Sequence, residues 1–224
     1  MVHLDQDFQS WRESLNPSLA RRLDKQTKRL RSRGGANLRQ VQDVDELDPI
    51  LQELGRFRAG RFGERGGTDL FQEPDFFEFY RQVAYDSISQ GGPGKLNVLE
   101  VGGKPAAIAL DLMHEDRELY LIVGYDFEGM RTFSLGLIIV DQIACEVIDR
   151  GLRYLDLTVG DEPYKTDFGA RRSPLFHVHS TRTPIGFAAF HGNALYLAAR
   201  RRAGQARSAW RRWQRKRSHR QRFR

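Results

Sequence analysis

The chain has a single cysteine, Cys145, in 224 residues, so no internal disulfide framework can form. Its place among Ile143, Ala144 and Val147 reads as a buried structural thiol rather than a nucleophile. No apolar run reaches the roughly eighteen residues that a membrane-spanning helix needs. Met1 to Trp11 is too polar for a signal peptide, and a cytoplasmic protein is expected. Several catalytic signatures are also missing. No G-x-S-x-G marks a serine hydrolase, and no G-x-G-x-x-G follows a strand. Gly91-Gly92-Pro93-Gly94 lacks the GK[ST] of a P-loop and reads as a turn. His177 and His179 share one side of a β run without a Cys or carboxylate at ligand spacing, so no metal is expected. Residues 194–224 contain no Asp or Glu but twelve Lys/Arg, which leaves 24 basic against 29 acidic residues elsewhere. The net charge of +7 therefore belongs to a cationic tail on a mildly acidic body, which argues against a basic nucleic-acid-binding fold.

Within that body, residues 11–33 read as a basic helix, with Pro17 pre-set for a first turn and Leu19, Leu23, Thr27 and Leu30 as its stripe. A strand is expected over 37–44. A helix follows over 45–62, where Leu47, Ile50, Leu51, Leu54 and Phe57 recur at helical spacing. Asp75 is the expected cap of a helix over 76–90. Strands are expected over 95–101, 105–114 and 118–125, the first two joined by the hairpin signal Gly102-Gly103. After a helix over 135–150, a strand over 153–158 and a short turn near Tyr164–Phe168, two β runs are expected at 175–180 and 185–190.

The stretch from Arg131 to Lys165 organises this order. Ser134 is placed as N-cap of an apolar helix whose Asp141, Gln142, Glu146, Asp149 and Arg150 share one face, opposite Leu137, Val140, Ala144 and Ile148. Gly151 sits where a left-handed turn ends it. A strand leading into small residues, a helix and a second strand leave amide N–H groups at the helix start free to hold an anion.

The order, with Trp11, Leu15, Ala20-Arg21-Arg22 through Leu30, Gly103 to Ala107, Gly124-Tyr125-Asp126, Ser134-Leu135-Gly136 and Leu155-Asp156 through Lys165, resembles the GNAT N-acetyltransferase superfamily. It is most similar to the CelD-like branch of cellulose biosynthesis, itself similar to the Fem-type aminoacyltransferases. The resemblance implies an α/β fold with an α+β mixed sheet in a single GNAT copy, acting on acetyl-CoA or another acyl-CoA. The Q/R-x-x-G-x-G/A motif falls on Arg131 to Gly136, with Ser134 for the first Gly, so Arg131, Ser134, Leu135 and Gly136 are the donor-binding candidates. Tyr164 is then the candidate acid. Asp156 either orients the amine or acts as base, or else is bonded to backbone. Gly160 and Lys165 are substrate-side candidates, Lys165 meeting a phosphate or pairing with Asp161 or Glu162.

Relatives commonly carry two such folds, so the resemblance also implies a partner chain supplying a missing N-terminal half. The expected organisation is a basic N-terminal helix over 1–35, a GNAT-like domain over 36–192 and an Arg/Trp-rich tail over 193–224. In the tail, Leu195, Leu197, Trp210 and Trp213 among arginines suit an anionic membrane surface at the inner face, with nucleic acid second and a solvated extension as the plain alternative. Three activities follow: an acyl-CoA-dependent N- or O-acyltransferase on a sugar, amino sugar or small amine of envelope polysaccharide metabolism, a non-catalytic half-fold, or an aminoacyl-tRNA-dependent transferase.

Overall fold

The structure is a computed structural model that describes residues 1–4, 7–65, 69–176, 183–186, 188, 191–192 and 195–196, the side chains of 61–65 excepted. It falls into two compact units, Met1–Ser173 and Pro174–Arg224.

In the first unit the elements run β1 (Val2–His3), α1 (Phe8–Ser14), α2 (Pro17–Arg31), β2 (Ala36–Gln40), α3 (Leu47–Arg65), α4 (Pro74–Gln90), β3 (Gly94–Val101), β4 (Lys104–His114), β5 (Arg117–Tyr125), α5 (Leu135–Asp149), β6 (Tyr154–Asp156) and α6 (Pro163–Asp167). The six strands form one sheet in the order β1-β6-β5-β4-β3-β2. All neighbouring pairs are antiparallel except β5 and β6, which α5 joins as a parallel crossover. The expected mixed sheet and its βαβ step are thus present. At Gly102 and Gly103, φ of 59° and 75° is the doubly left-handed turn that suits a two-residue hairpin.

Two apolar clusters sandwich the sheet. Leu47, Ile50, Leu51, Leu54 and Phe57 of α3, with Ala84 of α4, cover Leu96, Val98, Ile108 and Leu110. Trp11, Leu19, Leu23 and Leu30 from α1 and α2, with Ile139, Ile143 and Val147 of α5, cover Leu99, Ala107 and Ala109. Side chains of this size each contribute about 1.5–3 kcal/mol on burial.

Several expectations need correction. The basic segment 1–35 is not a separate domain, because its apolar stripe is part of the core. It is two helices rather than one, since the α1 C-cap Leu15 is extended and Asn16 starts α2 with Pro17 at its first turn. Gln26, not Thr27, completes the buried stripe. Val2–His3 forms a strand that had no periodicity to reveal it: Val2 pairs with Leu155, and the adjoining Met1 exchanges main-chain hydrogen bonds with Arg171. Pro74 rather than Asp75 begins α4, after Glu73, whose side chain makes no cap bond.

The first unit ends at Ser173, short of the expected 192. In the second unit, Leu175 and Phe176 lie in no strand. Residues 184–186 and 188 are helical, so the β run over 185–190 is not formed there. Thr183 Oγ1 accepts from the Gly186 amide, a local cap that competes with extended backbone. Residues 177–180, with His177 and His179, and the tail from 197 lie outside the described residues. No described helix is long and apolar enough to cross a membrane.

Candidate active site

The site arises where the sheet comes apart. β5 and β6 pair only over Arg117–Leu119 and Tyr154–Asp156. Just beyond, the β4 partners step from Asp111↔Tyr120 to Leu110↔Ile122, so Leu121 is an extra residue in β5. Such a bulge bends a strand and increases its twist. Thr158 spans the opening: it takes a left-handed φ of 58°, unusual for a β-branched residue, and its Oγ1 donates to Tyr120 O at 3.0 Å.

The splayed strands and the start of α5 enclose a cavity of about 430 Å3, lined by Tyr120, Val123 and Tyr125 of β5, by Phe127, Met130 and Arg131 of the following loop, by Ser134 to Leu137, by Glu162 to Tyr164, and by Arg22. Of the first four amides of α5, Leu137 and Ile138 donate to Ser134 O, at 2.8 and 3.3 Å, while those of Leu135 and Gly136 have no acceptor among the described residues. They add to the positive end of a 15-residue helix dipole. A Cβ on Gly136 would lie 3.1 Å from Tyr125 Cε1, tighter than ordinary contact, so a larger residue there requires the Tyr125 ring to give way.

Ser134 occupies the N-cap position but makes no cap hydrogen bond. It is left-handed, φ 54° and ψ 40°, and its hydroxyl accepts from Arg22 Nε at 3.2 Å and Nη2 at 2.8 Å. The expected capping role is therefore corrected: the α2 arginine takes the oxygen that would have met the helix amides. Arg131 stacks over Phe127, 4.9 Å from the ring centre.

Arg131, Ser134, Leu135, Gly136 and Tyr164 all line this one cavity. Asp156, Gly160 and Lys165 do not. Asp156 Oδ1 accepts the Thr158 amide at 2.9 Å, the backbone-bonded arrangement that was its plainer reading. Lys165 is buried, and its Nζ donates to Thr158 O at 3.3 Å and Val159 O at 2.9 Å and pairs with Glu162 at 3.0 Å, so it ties the β6–α6 loop together. Gly160 lies directly beneath the Glu162 carboxylate.

Sequence reasoning missed Arg22, Tyr120, Tyr125 and Glu162 as cavity residues. Glu162 appeared only as a Lys165 partner, and no local signal connects Arg22 to a loop 112 residues away.

The polar face of α5 is partly turned inward. Asp141 is buried against Arg12 of α1, with Nη1 at 2.8 Å, and Glu146 reaches Lys95 Nζ at 2.8 Å. Burial pushes the Asp141 carboxyl up to about 6, with Arg12 opposing and Asp24 reinforcing the shift. Cys145 is half-buried, 3.8 Å from Asp149 Oδ2, and burial with that carboxylate raises its thiol, which keeps it protonated. Among the described residues no group of three or more His, Cys, Asp or Glu side chains is arranged to hold a metal ion.

A helix start whose first two amides have no acceptor among the described residues, a splayed strand pair and a tyrosine thus meet at one cavity. Residues 17–166 match the family model described as an acetyltransferase (GNAT) domain, and the chain belongs to that family. It is an acyltransferase, with acyl-CoA as the family's co-substrate. FemX has a similar fold, with a TM-score of 0.54 and 13% identity over 72% of this chain and 52% of FemX, so the chain spans about half of that relative. A predicted acetyltransferase from Clostridium acetobutylicum, solved with acetyl-CoA, gives 0.49 at 10% identity over 65% of this chain and 96% of that one. A GCN5-related N-acetyltransferase from Ralstonia eutropha JMP134 gives 0.45 at 19% identity over 66% and 98%. A search of curated proteins finds no match.

Proposed function

We propose that this chain transfers an acyl group, in the first instance acetyl, from acyl-CoA to the amine or hydroxyl of a sugar, amino sugar or small amine in envelope polysaccharide metabolism, as a CelD-like member of its family. The observation that carries the donor half is the pair of open amides at Leu135 and Gly136 facing the cavity. Amides there meet a diphosphate without reorganising, and the dipole adds to the attraction. The Tyr125 ring packs against Gly136 at the cavity wall, and Arg131 supplies a cation there.

The acceptor nitrogen or oxygen attacks the thioester carbonyl carbon, and the C–S bond breaks as the new bond completes. Tyr164 gives its phenolic proton to the departing thiolate, while the Glu162 carboxylate receives the proton that the acceptor loses; proton exchange with solvent resets both. Holding donor and acceptor together supplies much of the acceleration, so a strong base is not required. Asp156 and Lys165 act on the shape of the loop that carries these groups, through Thr158 and Val159.

Calorimetry with acetyl-CoA tests the reading: saturable binding supports it, and no heat at millimolar ligand removes it.

The FemX likeness favours a second reading. Because the chain spans about half of FemX, its acceptor groove would be completed by a partner chain, with residues 194–224 held at the anionic inner face of a membrane. Turnover by the isolated monomer counts against it. Steeply salt-dependent tRNA binding that is lost on deleting 200–224 would move the assignment to an aminoacyl-tRNA donor.

A further inference from the structure

Ser134 poses a physical problem that Arg22 solves. A non-glycine residue at φ 54° is strained, and the family's motif has glycine at this position. The Ser134 side chain does not cap the helix it precedes. Its only hydroxyl partner among the described residues is the guanidinium of Arg22, through two nitrogens, from a helix far away in sequence. One turn pair further along α2, Arg29 Nη1 donates to Thr132 O at 3.1 Å, and its guanidinium lies 4.5 Å from the centre of the Phe133 ring. Thus α2 grips three consecutive residues, Thr132 to Ser134, immediately ahead of the open amide of Leu135.

We propose, on the basis of the donor reading above, that Arg22 is a positioning residue for the donor: its hydrogen bonds hold Ser134 left-handed, and that conformation aims the amides of Leu135 and Gly136 at the phosphates. Glycine needs no such help, since its backbone takes this conformation readily. Arg22 therefore does for serine what the missing Cβ does for glycine.

The claim separates from a direct phosphate contact by Arg22 in a double-mutant cycle on the full chain, read by acetyl-CoA calorimetry. In the Ser134 background, Arg22→Gln weakens binding about tenfold, the scale of a lost hydrogen bond to a charged group, and Arg22→Lys restores part of it. In the Ser134→Gly background, Arg22→Gln changes binding less than about twofold, because no hydroxyl is left to hold. Melting temperatures of the four proteins, each measured without ligand, report whether folding is kept; Arg22→Lys carries the comparison if Arg22→Gln melts early. Equal losses in both backgrounds overturn the positioning role, as does undiminished binding by Arg22→Gln. Failure of the unaltered chain to bind acetyl-CoA overturns the donor reading and this inference with it.

Discussion

At its N-terminus α5 leaves the amides of Leu135 and Gly136 without acceptors among the described residues, beside an open cavity; in its last two turns Glu146 closes onto a buried set of charges. There Lys95 Nζ pairs with Glu146 at 2.8 Å and Glu118 at 3.1 Å, and Asn97 Nδ2 donates to Asp111 at 2.8 Å and Glu118 at 3.2 Å. Lys95, Asn97, Asp111 and Glu118 are each at most 2% exposed. Burial and the neighbouring Glu118 raise the Asp111 carboxyl well above the usual range. Both ends of the helix are polar, yet only one can meet a ligand. Availability, not polarity, separates a site from an internal network.

The buried end should respond to mutation through stability. Lys95→Met leaves Glu118 without its cation and is expected to cost about 3–5 kcal/mol, read from urea denaturation. Glu118→Gln in the same chain should recover part of that. An unchanged midpoint in Lys95→Met would mean the network does not depend on its cation, and the comparison would fail on that side.

At the open end the loss should fall on the ligand. Gly136→Trp places a large side chain where even a Cβ would lie 3.1 Å from Tyr125, and acetyl-CoA affinity should drop by at least about 100-fold. Retained affinity would place the donor elsewhere.

Tyr164→Phe keeps the ring and removes the proton. Turnover should fall about 100-fold with donor affinity unchanged, the range for loss of a general acid. An equal fall in affinity would make Tyr164 a binding residue instead.

The smallest effect concerns Asp141, which lies between the two ends. Its folded value near 6 exceeds the ordinary 3.8, so the carboxyl binds its proton more tightly when folded. Its contribution is complete below about pH 4 and is lost as pH rises through 6. Asp141→Asn should flatten the dependence of the urea midpoint on pH across that window. An unaltered slope would show that Arg12, at 2.8 Å, fully compensates the charge.

Much of the fold was readable because its signals are local. Leu47 to Phe57 repeat at helical spacing, Gly102-Gly103 marks its hairpin, and Gly151, at φ 71°, ends α5 as expected. Arg131, Ser134, Leu135 and Gly136, which line the cavity, were legible for the same reason, since they lie in one contiguous run. What local pattern could not reveal needed a second element. β1 is two residues long and is a strand only because β6 lies beside it. Asp141 and Glu146 read only as members of one polar face, and their partners Arg12 and Lys95 come from α1 and β3. Asp156 and Lys165 stand close in sequence to Tyr164, yet the left-handed turn at Thr158 directs them into the loop and leaves Tyr164 on the cavity wall.

The sequence by itself determined most of the helices and strands between β2 and β6, the hairpin turn, and that small residues precede α5, because periodicity and turn chemistry are properties of neighbouring residues. Only the tertiary structure decided which polar groups remain open. Whether an amide, a carboxylate or an ammonium finds a partner depends on side chains distant in sequence, as buried Asp141 and Arg12, 129 residues apart, show, and burial raises the cost of leaving such a group unpaired.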